Sequence, residues 1–281
     1  MKKYMSYDLY GKNTMRLHCI ADIVYQPESL SELIELIKDL KSQNKQYRII
    51  SGGSNIVLPP ELTEPIILMD AFDKRIEYKN GYVEVGASTR IQKLIRSLQE
   101  HSLGGMEYLF SVPCLLGGAI LMNAGRGKKF NKSISNHIIS VKALEIASMI
   151  IKELSYKDCH FSHRCSIFQN REYVILSAKM KFQNSSKEET ESRIQERLRI
   201  SHDKLDAGKP SCGSVFNRAN GYIMKLIKGL RIGGACWSKK TSNWISNDRN
   251  GTYKNVVYLV GVAKLLHKLT FQPIHQEIEI W

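Results

Sequence analysis

Apolar positions recur along this chain at two spacings, and the changes between them mark out its elements. Over residues 29–43, Leu30, Leu33, Ile34 and Ile37 fall on one helical face, and Ser29 with Glu32 has the spacing of a capping box. Ile91, Leu94, Ile95 and Leu98 define a second helix, capped by Ser88 or Thr89 and ending before Gly104-Gly105. A third helix spans about 254–268 and a short one 222–228, while 185–205 is helical but charged on most faces, as a connector would be. Strands are predicted at 48–51, 56–58, 66–69, 75–79, 82–86, 140–147, 150–154 and 173–182. Asn80-Gly81 between two of these is a strong hairpin signal. Near the N-terminus, the turn Asn13-Thr14-Met15-Arg16 leads into a strand running to 21, and 22–26 forms a second strand closed by Pro27. The last part of the chain starts near Lys209-Pro210 and carries strands at 231–237, 243–246 and 276–280. No internal repeat is visible, and the mixture predicts an α+β protein.

Four polar or glycine-rich stretches interrupt this pattern. Residues 111–127, S-V-P-C-L-L-G-G-A-I-L-M-N-A-G-R-G, concentrate glycine around the short apolar run 119–122. Glycine at this density lets a backbone pass close to a ligand or to another strand. By itself the stretch reads equally well as a tight loop beside a buried strand. The others are S-G-G-S-N-I at 51–56, S-H-R-C-S at 162–166 and C-G-S-V-F at 212–216. The first is not a dinucleotide fingerprint, because its glycines open a strand and not a helix. Its N–H groups can form an anion nest, with the Ser54 hydroxyl and Asn55 amide as further donors, or it can be an ordinary hairpin turn.

Composition narrows the class. The chain has 281 residues, 43% hydrophobic and 24% charged, which suits two or three packed units of an ordinary globular protein. Lys2 and Lys3 are followed by no apolar run, so no secretory signal is expected, and no apolar segment approaches the ~20 residues that cross a bilayer. Six scattered cysteines show no C-x-x-C pair and no zinc spacing, which points to reduced thiols in a cytoplasmic protein without a metal. The net charge of +14 favours an anionic partner. Nucleic-acid signatures are missing and the basic residues are dispersed, so nucleotide cofactors and nucleotide sugars are favoured over nucleic acid or a membrane.

Taken together and in order, the stretches resemble the UDP-N-acetylenolpyruvoylglucosamine reductase family, also called UDP-N-acetylmuramate dehydrogenases. The resemblance covers almost the whole chain. It runs from Asn13-Thr14 through Gly53-Ser54-Asn55, Val112-Pro113, Gly117-Gly118-Ala119 and Met122-Asn123-Ala124-Gly125. It continues through Arg164-Cys165-Ser166, Gly213-Ser214-Val215-Phe216 and Ile232-Gly233-Gly234-Ala235 to Ser238, Asn243, Asn247 and Glu277. The length matches the shorter of the family's two forms. The resemblance implies a two-lobed FAD-binding domain of the vanillyl-alcohol-oxidase type and a C-terminal α+β substrate-binding domain. The corresponding boundaries are 1–68 and 69–184 for the lobes, 185–208 for a helical connector and 209–281 for the substrate domain.

The resemblance also implies roles. Gly52, Gly53, Ser54, Asn55 and Ile56 would contact FAD, as would Val112, Pro113, Gly117, Gly118, Ala119, Asn123, Ala124 and Gly125. NADPH would reduce the flavin, which would then reduce the enolpyruvyl group of a nucleotide sugar. Arg164 would face the substrate carboxylate, Ser214 would donate the proton to C2, and Glu277 would assist at the carboxylate. A monomer is expected. The chain departs from the family pattern where Cys114-Leu115-Leu116 replaces Gly, Ser or Thr, and Val, losing a small hydroxyl donor. Ser51 and Ser111 replace Gly or Ala, His163 replaces an aromatic, and Asn217-Arg218-Ala219 replaces Lys-Asn-Pro. About five residues are missing before Ile232, and Thr241 replaces a histidine. Three functions remain open at this level: the family's own reductase, an FAD oxidoreductase acting on another unsaturated sugar nucleotide, and a non-catalytic flavin- or nucleotide-binding protein.

Overall fold

Internal contacts divide the chain into two units, one of Met1–Lys3, Tyr25–Gly52 and Ile66–Leu198, the other of Tyr4–Val24, Gly53–Pro65 and Arg199–Trp281. The structure, a computed structural model, describes residues 1–126, 131–206 and 208–281. Gly127, the last residue of the glycine-rich stretch, lies outside the described residues.

In the first unit, helix α1 (Leu30–Ser42) buries Leu33, Leu36, Ile37 and Leu40 against Ile67, Leu144, Val174 and Leu176. Ser29 Oγ accepts from the Glu32 N–H at 3.3 Å, as the sequence predicts. The Glu32 carboxylate, however, accepts from the Glu28 N–H at 2.8 Å, so the reciprocal half of the box closes one residue early. Arg48–Ile50 and Ile66–Leu68 pair in parallel. A five-stranded antiparallel sheet has the order Ile150–Ser155, Ile138–Glu145, Tyr173–Met180, Tyr82–Gly86, Ile76–Lys79. The last two strands form the predicted hairpin, with Gly81 at φ +86° in a turn few other residues could make.

Helix α2 (Ile91–Glu100) packs Ile91, Leu94, Ile95 and Leu98 into the same core as Val83, Val85, Val141 and Ala178. Neither predicted hydroxyl caps it. Ser88 Oγ donates to the Met69 carbonyl and Thr89 Oγ1 to the Arg75 carbonyl, so neighbouring backbone has claimed both groups, and Arg90 stands at the cap position. The apolar run 119–122 belongs to a helix and not a strand: α3 (Leu116–Leu121) buries Leu116, Ala119 and Ile120 at helical spacing. A run of that length cannot tell strand from helix by periodicity. Helix α4 (Lys187–Lys204) follows, close to its predicted span.

The N-terminal region differs most from expectation. Lys2–Asp8 is a strand that the pattern did not reveal, and the two short strands predicted up to 26 are one, Ile20–Gln26. Residues 13–17 remain a loop because buried Asn13 stitches it: Nδ2 donates to the Leu9 and Leu17 carbonyls at 2.8 and 2.9 Å, and Oδ1 accepts from the Leu17 N–H at 3.0 Å.

The second unit holds a four-stranded antiparallel sheet in the order Ser211–Ser214, Trp244–Asn247, Ala235–Trp237, Arg231–Ile232. The single strand predicted over 231–237 is a hairpin turning at Gly233, whose φ is +52°. Helices α5 (Gly221–Leu226) and α6 (Tyr253–Leu269) pack together. Thr252 and Asn255 form a complete capping box at the start of α6. Trp237 lies fully buried among Phe216, Met224, Val256 and Leu259. The predicted strand at 276–280 is split: His275–Gln276 pairs with Phe216–Arg218, and Glu279–Ile280 pairs in parallel with Ile56–Val57.

Candidate active site

The turn after Arg48–Ile50 passes through two glycines with different reasons to be glycine. A Cβ on Gly52 would lie 3.0 Å from the Leu115 nitrogen and 3.2 Å from the Cys114 Cα, so two backbones cross here without room for a side chain. Gly53 has φ +61°, and a Cβ there would sit 2.0 Å from the Lys12 carbonyl oxygen. Among the described residues, the N–H groups of Gly52, Gly53 and Ser54 and the Ser54 hydroxyl donate to no protein acceptor. Consecutive free N–H groups of this kind are the chemistry of an anion nest and fit a pyrophosphate. Thr14 braces the turn. Its N–H donates to the Gly53 carbonyl at 3.0 Å and its hydroxyl to the Ser211 carbonyl at 2.6 Å.

In the first unit, Gly117 and Gly118 serve close packing. A Gly117 Cβ would contact Ala87 at 3.3 Å, and a Gly118 Cβ would contact Ser51 Oγ at 3.3 Å. The N–H groups opening α3 are all taken. Leu116 donates to Thr89 O at 2.9 Å, Gly117 to Ala87 O at 2.8 Å and Gly118 to Ser51 Oγ at 3.2 Å. Ser51, in the turn after Arg48–Ile50, thus offers its hydroxyl oxygen as an acceptor to this helix start. Cys114 is buried there, and burial pushes its thiol up to about 12. Pro113 is exposed, and Val112 accepts at its carbonyl from Gln92 Nε2 at 2.6 Å.

Beyond α3 the chain meets the loop carrying Arg164. Asn123, buried and at φ +41°, donates from Nδ2 to the Ser162 carbonyl at 2.7 Å and accepts at Oδ1 from the Ser135 N–H at 3.3 Å. Ser162 and Cys165 exchange backbone hydrogen bonds of 3.0 and 3.1 Å, leaving His163 and Arg164 at the corner of a two-residue turn. Arg164 adopts φ +58° and folds its guanidinium onto the carbonyls of Gly125, at 2.7 Å, and Asn123, at 3.5 Å. Gly125 is obligatory, because a Cβ would lie 2.2 Å from the Lys132 carbonyl. Ala124 pairs through its N–H with Ala119 and through its carbonyl with Ile134.

A pocket of about 530 Å³ opens at this point, lined among others by Asn123, Gly125, Lys132, Tyr156, His163 and Arg164. Its described lining holds two permanent cations and no carboxylate, so it is suited to an anionic ligand. Lys132 and Tyr156 were not foreseen. They carry no local motif, and folding alone brings them to the wall.

In the second unit, Ser214 ends the strand Ser211–Ser214 directly after Gly213, whose φ is +81°. Among the described residues its hydroxyl makes no hydrogen bond. The Glu277 N–H donates to the Val215 carbonyl at 2.8 Å, which sets Glu277 beside Ser214 in the fold. Asn243 braces the same segment by accepting from Phe216 N at 3.0 Å and donating to Phe216 O at 2.7 Å. Cys212 is pushed up to about 12 by burial, with the Glu277 carboxylate adding to the shift. Asn55 reaches the Glu277 carbonyl at 3.0 Å, and Glu279 N returns a bond to the Asn55 carbonyl at 2.9 Å. The fold therefore gathers Gly53, Ser54, Asn55, Ile56, Ser214 and Glu277 in one unit. It gathers Gly52, Val112, Pro113, Gly117, Gly118, Ala119, Asn123, Ala124, Gly125 and Arg164 in the other.

Residues 21–152 match the FAD binding domain, and the relatives that follow are FAD-dependent oxidoreductases, the class to which the chain belongs. Over 272 residues it is 31% identical to the UDP-N-acetylenolpyruvoylglucosamine reductase of Prochlorococcus marinus, covering 93% of this chain and 91% of that one. The corresponding reductase of Francisella tularensis is 31% identical over 275 residues, with 94% of both chains covered. The crystal structure of the reductase from Thermus caldophilus superposes with a TM-score of 0.79 at 22% identity, over 100% of this chain and 98% of that one. The chain belongs to the UDP-N-acetylenolpyruvoylglucosamine reductase family.

Proposed function

We propose that the protein uses NADPH to reduce the enolpyruvyl group of UDP-N-acetylglucosamine enolpyruvate, forming UDP-N-acetylmuramate, with FAD as the carrier. The observation that supports this most is the Arg164 guanidinium, anchored on the carbonyls of Gly125 and Asn123 at the wall of a pocket with no carboxylate in its described lining. A cation so placed can receive the substrate carboxylate. FAD, when bound, would supply hydride-transfer chemistry between a nicotinamide and C3 of the enol ether. The free N–H groups of Gly52, Gly53 and Ser54 and the close backbone passage at Val112–Gly125 are the elements offered to hold it.

The remaining chemistry falls to side chains. Hydride addition at C3 places negative charge at C2, delocalised into the carboxylate, and Arg164 stabilises that charge. Ser214, with a hydroxyl committed to no protein acceptor, delivers a proton to C2. Glu277 assists at the carboxylate. All six cysteines are free thiols, which fits a reducing, cytoplasmic setting. The test is anaerobic. NADPH should bleach the flavin of the purified protein, and the enolpyruvyl nucleotide sugar should restore its colour. Bleaching without recovery would point to a different unsaturated substrate, and protein that cannot be loaded with FAD would refute the assignment.

A further inference from the structure

Helix α6 is apolar on the face where a solvated helix carries charge. Its inner face buries Val256, Leu259, Val260, Ala263 and His267. On the opposite side, Tyr258, Leu265 and Leu269 recur at i, i+7 and i+11 and so form one stripe along the helix, while Val262 between them packs against the core. Tyr258 is 63% exposed, Leu265 55% and Leu269 66%, and Phe271 just past the helix end is 93% exposed. A single exposed leucine is ordinary, whereas a row of them extended by an aromatic ring marks a binding surface. On α5, packed beside this helix, Tyr222 and Leu226 are exposed as well.

The charge around the stripe has one sign. The 17 residues of α6 include no Asp or Glu. Lys254, Lys264 and Lys268 lie along one flank of the stripe, exposed and without an ion-pair partner among the described residues. Lys225 and Lys228 accompany the apolar residues of α5. Residues 209–281 hold eleven Lys and Arg against three Asp and Glu, so most of the chain's positive excess is concentrated in this quarter of it.

We propose that this face docks on an anionic lipid bilayer surface, with Leu265, Leu269, Phe271 and Tyr258 entering the headgroup–acyl boundary and the lysines meeting lipid phosphates. Leucine and aromatic residues on one side with lysine beside them is the composition of helices that lie in a membrane interface. A second copy of the chain fits poorly, since a self-paired stripe would bring two rows of lysines together with no acid to answer them. This is attachment to a surface and not insertion across it: among the described residues no helix is long and apolar enough to cross a membrane. Such docking departs from the expectation from sequence that membranes are not partners; which apolar residues of α6 the core leaves uncovered is visible only in the fold.

The experiment is sedimentation of the full-length protein with vesicles of phosphatidylcholine mixed with phosphatidylglycerol, and with vesicles of phosphatidylcholine alone. The protein should pellet with the anionic vesicles, stay in solution with the neutral ones, and be released by salt. Leu265→Ser, Leu269→Ser and Phe271→Ser should each weaken binding roughly tenfold, and Lys264→Gln and Lys268→Gln roughly fivefold each. All five variants should keep wild-type flavin content and melting temperature, since none of these side chains is in the core. Failure to bind anionic vesicles, or binding unaltered by the stripe variants, overturns the proposal. Self-association abolished by those same variants overturns it in favour of a second copy. Retention by an immobilised acidic amphipathic peptide, without vesicle binding, assigns the face to a protein partner instead.

Discussion

The side-chain amide of Asn55 donates to the main-chain carbonyl of Glu277, 3.0 Å away and 222 residues further along the chain. The Asn55 carbonyl in turn accepts from Glu279 N at 2.9 Å. One asparagine in a glycine turn thereby holds the C-terminal segment in which Glu277 stands. Asn55→Ala is expected to cost about 1 kcal/mol and to lower turnover through displacement of Glu277. Gly53→Ala should be far worse, combining a disfavoured φ of +61° with a Cβ 2.0 Å from the Lys12 carbonyl. Thermal melts of the two variants beside the wild type check the order, and a Gly53→Ala protein as stable as Asn55→Ala would contradict it.

Arg164 can be tested apart from the fold. Its guanidinium makes two bonds to backbone carbonyls, and a lysine cannot reproduce that fork. Arg164→Lys should lower turnover by roughly 10²-fold, with little change in melting temperature or FAD content. Unchanged turnover would assign the substrate carboxylate to another cation, such as Lys132.

Ser214 separates the two half-reactions. Its hydroxyl is committed to no other group among the described residues, so Ser214→Ala should preserve the fold. Flavin reduction by NADPH should proceed at close to the wild-type rate. Reoxidation by substrate without oxygen should slow by about 10²–10⁴. Equal slowing of both steps in stopped-flow traces would make Ser214 a structural residue.

The cysteines should differ sharply in reactivity. Cys19, Cys114, Cys159 and Cys212 are each held up at about 12, chiefly by burial, and remain protonated at neutral pH. Cys165, next to Arg164, is exposed. Brief iodoacetamide treatment of the native protein followed by peptide mass spectrometry should find the label on Cys165 well before these four. Early labelling of Cys114 or Cys212 would mean that their surroundings open readily.

Acid should loosen the attachment of α4. Glu191 pairs with Arg96 and also accepts from Gln195 at 2.6 Å and Gln99 at 3.0 Å. These bonds, Arg96 foremost, hold its carboxyl from the usual 4.5 down to about 2. A depressed carboxylate contributes stability that is complete above about 4.5 and lost as the pH falls through about 2. The pair is solvent-exposed, so its contribution is small and weakens with salt. Glu191→Gln should flatten stability across that window, lying slightly below the wild type above about 4.5 and meeting it at the acid end, as urea melts at a series of pH values would reveal.

The sequence by itself determined what depends on neighbours along the chain. Helical spacing located α1, α2, α4 and α6 to within a few residues, and Asn80-Gly81 located a hairpin, because both signals reside in consecutive side chains. The order of short motifs was enough to indicate the family. Tertiary structure decided which partner each group found. Ser88 and Thr89 have the chemistry of helix caps, yet strand carbonyls lie closer to them. The run 119–122 suits strand or helix, and packing of Gly117 on Ala87 and Gly118 on Ser51 made it a helix. Asn55 and Glu277, Asn123 and Ser162, and the pocket wall of Lys132 and Tyr156 are all pairings across long loops. No spacing rule encodes these pairings, because each contact exists only once the intervening chain has folded.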